Sequence, residues 1–380
     1  MKTLIVFMTL LYSVTLSAQE RITLLFVGDL MQHQAQIDAA RTPEGKYDYS
    51  PCFSLVKEQI SRADLAIGNL EVTLAGKPYQ GYPAFSAPDE YLQAIKEAGF
   101  DILMTANNHC LDRGKKGLER TILMLDSLHI PHAGTYSNLS KRKQQYPLFI
   151  HKKGFRIAFL NYTYGTNGIK TSSPNIVNYI DKEAILQDIR SAQARCPDAI
   201  IACMHWGEEY KSLPNKEQRD LADWLLQQGV THIIGSHPHV IQPMELRAEG
   251  NRQHVVVYSL GNFISNMRSP NTDGGLIFTL QLEKSPLPKP IPPRFSEQSY
   301  SPSFEPTSIL LPYCHVSDCG YDFVWTARPD LTGEKNYILY PIKHPSDSLP
   351  QDARNHLKIF TENSRKLLQQ HNVGISEKKK

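Results

Sequence analysis

Seven short apolar, β-branched runs stand out along the chain, each ending in polar residues or glycine: ITLLFVGD, DLAIGNLE, FDILMTANNH, FRIAFLNYTY, AIIACMHWG, HIIGSHPH and HVVVYSLGN. Runs of this length and composition predict strands buried on both faces of a sheet. Between them, residues 89–99, 117–128, 182–195 and 215–229 carry apolar positions at helical spacing, with glycine at several ends. These predict amphipathic helices. Strand alternating with helix implies an α/β architecture, and open α/β sheets place their sites at strand ends. The polar clusters that close the runs are therefore expected to converge in space.

The ends of the chain read differently. Residues 1–18 carry Lys2, an apolar core from Leu4 to Leu16 and the small residues Ser17 and Ala18, which is the layout of a secretory signal peptide. That core is shorter than the ~20 residues that span a bilayer, and no later segment is long and apolar enough to do so. The mature chain is expected to lack a transmembrane segment and to lie outside the cytoplasm, periplasmic or secreted. Residues 19–284 form the main domain. Residues 285–312, rich in proline and serine, predict a linker or loop. The remainder, 313–380, holds a strand-like NYILYPI and a helix over about 352–370; it is small for a core of its own and is expected to pack on the main domain as an extension.

The formal net charge of +3 includes Lys2 and the terminal Lys378, Lys379 and Lys380. The body is nearly neutral, which argues against a nucleic-acid or anionic-membrane surface. An acidic substrate would have to be held locally, by a metal or a few basic side chains. Six cysteines in 380 residues are too sparse for a disulfide scaffold. Cys314 and Cys319 flank a predicted short loop and are the first candidates for a bridge. Cys52, Cys110, Cys196 and Cys203 lie in or beside apparent core elements, where reduced, buried cysteine is the more frequent state.

The densest chemistry is GSHPHVIQP, with His237 and His239 separated by Pro238. Pro238 stiffens the backbone there, and strand alternation would direct both imidazoles to one face. Upstream stand VGDLMQH (Asp29, His33), GNLE (Asn69, Glu71), ANNHCLDRG (Asn107, Asn108, His109, Asp112) and MHWGEEY (His205, Glu208, Glu209), each closing an apolar run. A two-metal site needs carboxylate or similar oxygen donors, neutral imidazoles and an open position for water or substrate. Asp29, Glu71, Asn108, His205, His237 and His239 supply that inventory. Oxygen and nitrogen donors without thiolate suit manganese, iron or zinc.

Taken singly, each residue has a plainer reading. Asp29 could be a turn or helix-cap residue, Asn69 and Asn108 loop hydrogen-bonders, Glu71 an exposed charge, and His205 a hydrogen-bonded core histidine. Their shared position at strand ends favours the joint metal reading. His109 is the best candidate to protonate a leaving group, with Asp112 to orient it; the alternative is a bond to its own loop. His33 could coordinate, contact a bound anion or cap the next helix. Glu208 and Glu209 could cap the following helix or orient His205. Asn262, in YSLGNF, serves either substrate contact or a turn, and Asn69 and Asn107 are candidates for substrate binding or for support of the ligands.

These motifs, VGD, GNLE, ANNHCLDRG, HWGEEY, GSHPHVIQPME and YSLGNF in that order, resemble the CapA or poly-γ-glutamate capsule synthesis proteins, whose domain is similar to calcineurin-like metallophosphoesterases. The resemblance implies a four-layer α/β/β/α sandwich with a metal centre at one edge. It also implies Asp29, Glu71, Asn108, His205, His237 and His239 as ligands of two divalent ions and His109 as the catalytic histidine. Met31 stands where ordinary metallophosphoesterases carry their first-motif histidine, and Asn69 where they carry a bridging aspartate. Both departures belong to the CapA type.

The leading expectation is a metal-dependent hydrolase outside the cytoplasm, acting on a phosphoester or amide of an anionic envelope or capsule polymer. The alternative is a non-catalytic protein that binds the polyanion while membrane capsule-synthesis proteins make or export it. A purely structural α/β domain without metal is the third reading.

Overall fold

The computed structural model describes residues 20–250, 252–288 and 312–379. The predicted strands form at Arg21–Leu30, Leu65–Leu70, Ile102–Met104, Phe155–Thr163, Ala199–His205, His232–Ser236 and Arg252–Val257. They divide between two sheets. In the first, parallel strands Arg21–Leu30, Leu65–Leu70, Ile102–Met104 and His132–Ala133 run side by side. Its other half is antiparallel, through Gly274–Pro288, Pro312–Ala327 and Ile338–Pro341. The second has a parallel centre of Phe155–Thr163, Ala199–His205, His232–Ser236 and Arg252–Val257. Antiparallel strands Leu148–Lys152 and Met244–Glu249 close its edges.

Alternation along Arg21–Leu30 shows how the layers are built. Leu24 and Phe26 enter a core shared with Ile157, Phe159, Ile201 and Val255 of the second sheet. Leu25 and Val27 point the other way, into a core with Ile60, Tyr91, Ile95 and Leu125 from helices Lys57–Ser61, Asp89–Glu97 and Gly114–Ser127. On the far side, helices Lys182–Gln193 and Lys216–Gln227 bury Ile185, Ile189, Leu221 and Leu225 against the second sheet. Helices, sheet, sheet and helices make the four-layer α/β/β/α sandwich. Both outer helices start where side chains of Asp181 and Asn215 accept backbone N–H groups of the first turn, satisfying donors that have no partner within the helix.

The proline- and serine-rich stretch begins later than its composition implies, because Ser285–Pro288 still pair with the strand Pro312–Ala327. Residues 289–311 lie outside the described residues, as does the segment 1–18. Beyond them the chain is woven into both sheets. Ser376–Glu377 pair with Pro312–Ala327, Val373 exchanges backbone hydrogen bonds with Met244 and Leu246, and Phe360 of helix Gln351–His371 packs edge-on against Phe323 at 6.2 Å.

Two cysteine expectations need correction. Cys314 and Cys319 sit on the single strand Pro312–Ala327, opposite Lys284 and Leu280. At ~3.3 Å per residue an extended strand holds them far beyond the ~7 Å limit for a bridge. Cys196 is exposed, at φ 48° after a helix, while Cys52, Cys110 and Cys203 are buried.

Candidate metal centre

The strand ends meet at one rim, and backbone register sets the order of the side chains. Asp29 pairs with Asn69 on one side and Asn262 on the other, so an aspartate lies between two amides on adjacent strands. His205 pairs with Ser236 in the second sheet, which places the His237 loop beside it. Glycine makes both approaches possible. A Cβ on Gly28 would lie 1.8 Å from the Gly261 carbonyl oxygen, and one on Gly235 2.0 Å from that of Tyr258. A side chain at either position would push the ligand-bearing strand off its neighbour.

His237 and His239 do not follow strand alternation. The strand ends at Ser236, and the two histidines take φ 101° and φ 60°, a left-handed region that bulky residues rarely enter. Such conformations cost on the order of 1–3 kcal/mol each and cluster at functional sites. The Pro238 carbonyl accepts the Tyr210 N–H at 2.8 Å, tying this loop to the one after His205. The result still faces both rings into the centre, by loop geometry in place of pleating.

Asn69 is the hub of the oxygen side. Its Nδ2 is 2.8 Å from Asp29 Oδ1, 3.4 Å from Glu71 Oε2 and 3.3 Å from His205 Nδ1. Asn107 donates to Asn69 Oδ1 at 3.3 Å and to the Leu70 carbonyl at 2.8 Å. Asn108 Oδ1 is 2.8 Å from His205 Nε2, and Glu71 Oε1 lies 3.6 Å from that nitrogen. Asn262 donates to the Thr272 carbonyl at 2.8 Å, which turns its Oδ1 toward His239 Nδ1 at 3.0 Å. His239 Nδ1 is also 3.3 Å from Asp29 Oδ2.

The electrostatics follow from burial. Asp29 and Glu71 are 0% exposed, and two neighbouring buried carboxyls do not both ionise readily. For Glu71, burial and then the Asp29 charge push its pKa well up. For Asp29, burial pushes upward, but the close approach and charge of His239 and the bond from Asn69 outweigh it, and the net direction is down. The same pairing raises His239 against its own burial. Burial and the surrounding histidines hold His205 well below its usual range, and His237 falls to about 3.

Three groups of donors lie within 4.8 Å of one another: Glu71, His205 and His237; Glu209, His237 and His239; Asp29, Glu71 and His239. Among their buried atoms, Asp29 Oδ2, Glu71 Oε1 and His237 Nδ1 have no hydrogen-bond partner. An unpartnered buried polar atom costs roughly 1–3 kcal/mol, so three together fit a cation that takes their lone pairs. Donors of this N/O type suit a divalent transition metal.

His109 and Asp112 lie at the margin. His109 Nδ1 is 2.8 Å from Asp112 Oδ2, which also accepts the Phe85 N–H at 2.8 Å, and the His109 N–H is held by Asn107 Oδ1 at 3.2 Å. His33 occupies the cap position of helix Gln34–Ala40. Its Nδ1 accepts the Asn266 N–H at 3.2 Å, and burial lowers its pKa to about 4. Glu208 departs from expectation: Asn215, whose side chain caps the next helix, donates to it at 3.3 Å. Neither Glu208 nor Glu209 orients His205, a role taken by Asn69, Asn108 and Ser236. Glu209 turns toward His237 and His239.

Sequence reasoning passed over several residues. Tyr164 lies with its ring 4.4 Å from that of His237; it closes a predicted run and could have been found by that position. Asn161 accepts the Thr105 and Ala106 N–H groups at 3.1 and 2.7 Å and donates to the Cys203 carbonyl at 3.0 Å. It ties the loop bearing Asn107, Asn108 and His109 to the second sheet, and sits within an apolar run that conceals it.

Residues 23–267 match the family described as Bacterial capsule synthesis protein PGA_cap. The chain is 29% identical over 260 residues to the capsule biosynthesis protein CapA of Bacillus anthracis, covering 64% of this chain and 60% of that protein. It is 28% identical over 269 residues to the PGA biosynthesis protein CapA of Bacillus subtilis (strain 168), covering 68% and 67%. It thus spans about three fifths of the length of the first relative and about two thirds of the second. Among solved structures it is similar to the calcineurin-like phosphoesterase YfkN from Bacillus subtilis, at 13% identity and a TM-score of 0.43, covering 92% of this chain and 99% of that one. With that match over more than half of its length, the chain belongs to the bacterial capsule synthesis protein PGA_cap family.

Proposed function

We propose that this protein is a metal-dependent hydrolase acting outside the cytoplasm on a phosphoester or amide, in the synthesis or processing of a capsule or poly-γ-glutamate polymer. The observation that carries this reading is the convergence of Asp29 Oδ2, Glu71 Oε1 and His237 Nδ1, buried and without a hydrogen-bond partner, beside His205 and His239. Asp29, Glu71, Asn108, His205, His237 and His239 would hold two divalent ions, manganese, iron or zinc. Such ions polarise the scissile group and acidify a water for attack.

The chain's own groups do the rest. Asn262 Oδ1 accepts a hydrogen bond from His239 Nδ1, which would leave Nε2 as the lone-pair donor to an ion. Asn69 holds Asp29 and Glu71 in register. Asp112 fixes one face of His109, so that Nε2 can pass a proton to the departing oxygen or nitrogen.

The names of the Bacillus relatives, both concerned with biosynthesis, support a second reading in which the protein binds polymer without cleaving it, alongside membrane synthesis proteins. One experiment separates them. Metal content of protein purified without chelator is compared with that of the His237→Ala, His239→Ala variant, and both are assayed on phosphoesters and γ-glutamyl amides. About two ions per chain, lost in the variant together with turnover, is the expected result. Bound metal without turnover moves the assembly reading to first place, and no metal after reconstitution sinks the hydrolase.

A further inference from the structure

The cleft that opens onto the centre holds about 340 Å³, the small end of the ~300–1,000 Å³ usual for ligand sites. Its walls differ from its floor. Tyr82 is 70% exposed and Tyr210 47% exposed, yet each backs onto a site histidine. The Tyr82 ring lies 6.4 Å from that of His109, and the Tyr210 ring 6.2 Å from that of His239. Met31, Ile169 and Met267 extend this wall. Exposed rings offer a π-face that stacks on flat groups of a ligand.

The charges point the same way. Among the described residues no lysine or arginine lines the cleft, whereas the carboxyl groups of Asp112 and Glu209 do. Lys170 and Lys211, next in sequence to lining residues, stand outside it. Beyond the centre, a polyanion threaded here would find no basic side chain among the lining residues to pair its further charges, and unpaired charges at close range are costly.

We propose that the cleft selects a ligand with one anionic reacting group at the centre and a neutral, ring-bearing body between Tyr82 and Tyr210, and that it rejects a polyanionic chain. The inference rests on the metal-dependent function above and narrows its substrate class to a phosphoryl group attached to a ring.

Phenylphosphonate and methylphosphonate share a head group and resist hydrolysis, so their affinities for the metal-loaded protein read the ring apart from turnover. Phenylphosphonate is expected to bind about ten-fold or more tightly than methylphosphonate. Tyr82→Ala and Tyr210→Ala should each shrink that ratio while metal content holds. A γ-linked hexaglutamate should not displace phenylphosphonate. Equal affinities for the two phosphonates in a metal-loaded protein overturn the ring selection and leave the metal centre standing; so does ready displacement by the hexaglutamate. If no metal is taken up, the hydrolase fails on its own count, and equal phosphonate affinities then overturn the ring selection separately.

Discussion

The two sheets bring different chemistry to one rim. The first contributes oxygen donors and amides: Asp29 and Asn69 on adjacent strands, Glu71 and Asn108 just beyond strand ends, and Asn262 beside Asp29. The second contributes imidazoles: His205 closes its strand, and His237 and His239 follow the next. Neither half is complete. Asp29 and His239 pair across the rim, but the buried Glu71 carboxyl and the imidazoles of His205 and His237, both held low by burial, satisfy each other poorly without a cation between them, so the centre depends on how the sheets dock.

That comparison can be broken at several points. The largest effect should come from the matching glycines, since the backbone oxygens that a Cβ at Gly28 or Gly235 would meet have no rotamer to yield. Gly28→Ala and Gly235→Ala are each expected to lose about 3 kcal/mol or more, the upper range for overpacking, read as shifts in urea midpoint. A loss at only one would show that one sheet end tolerates movement the other does not.

Asn161→Ala removes the side chain that crosses between the sheets and leaves the Ala106 N–H unpaired, while the Thr105 N–H keeps the Ala133 carbonyl at 2.8 Å. A cost of about 1–3 kcal/mol is expected, with weaker metal binding in a titration of the same variant. Unchanged metal affinity would show that the Asn107–His109 loop is placed without it.

Metal itself should stabilise the docked pair. At a hundred times its Kd, a bound ion raises stability by about 2.7 kcal/mol, seen as a rise in Tm that chelator reverses. His237→Ala, from one sheet, and Glu71→Gln, from the other, should each abolish most of the rise. If only the histidine variant does so, the oxygen side is dispensable.

In the metal-free protein the two acids should respond to pH with opposite sign. Asp29 has its pKa lowered from an ordinary 3.8, so its contribution is present above that value and lost as pH falls through the folded pKa. Glu71 has its pKa raised from an ordinary 4.5, so its contribution is full below that value and lost as pH rises toward the folded pKa. Metal-free Glu71→Gln is therefore expected to be more stable than the parent at pH 7, and Asp29→Asn less stable, in parallel urea titrations. The smallest effect should be Tyr82→Ala, within about 0.5 kcal/mol, because its ring is largely exposed.

Most strands were legible because each buried run carries its own signal. Arg21–Leu30 and Ala199–His205 are nearly continuous in apolar residues, and the helix Lys216–Gln227 falls within residues 215–229, where apolar positions recur at helical spacing. The long pairing of Gly274–Pro288 with Pro312–Ala327 was not legible, since its partners are separated by a stretch whose composition speaks only of loop. Among candidate site residues, Asp29, Asn69 and His205 sat on the strands that their runs predicted. Glu208 lay beyond its strand, in the turn before the helix that Asn215 caps.

By itself the sequence determined the alternation of strand and helix, the polar residues that close each run and the family these motifs mark. Those are local properties, set by burial periodicity and residue chemistry over a few positions. Only the tertiary structure decided that oxygen donors and imidazoles come from opposite sheets, that His237 and His239 reach the centre through left-handed backbone, and that the cleft beside them is walled by Tyr82 and Tyr210. Those depend on contacts between residues far apart in the chain, and no local pattern encodes which distant backbone a strand end will meet.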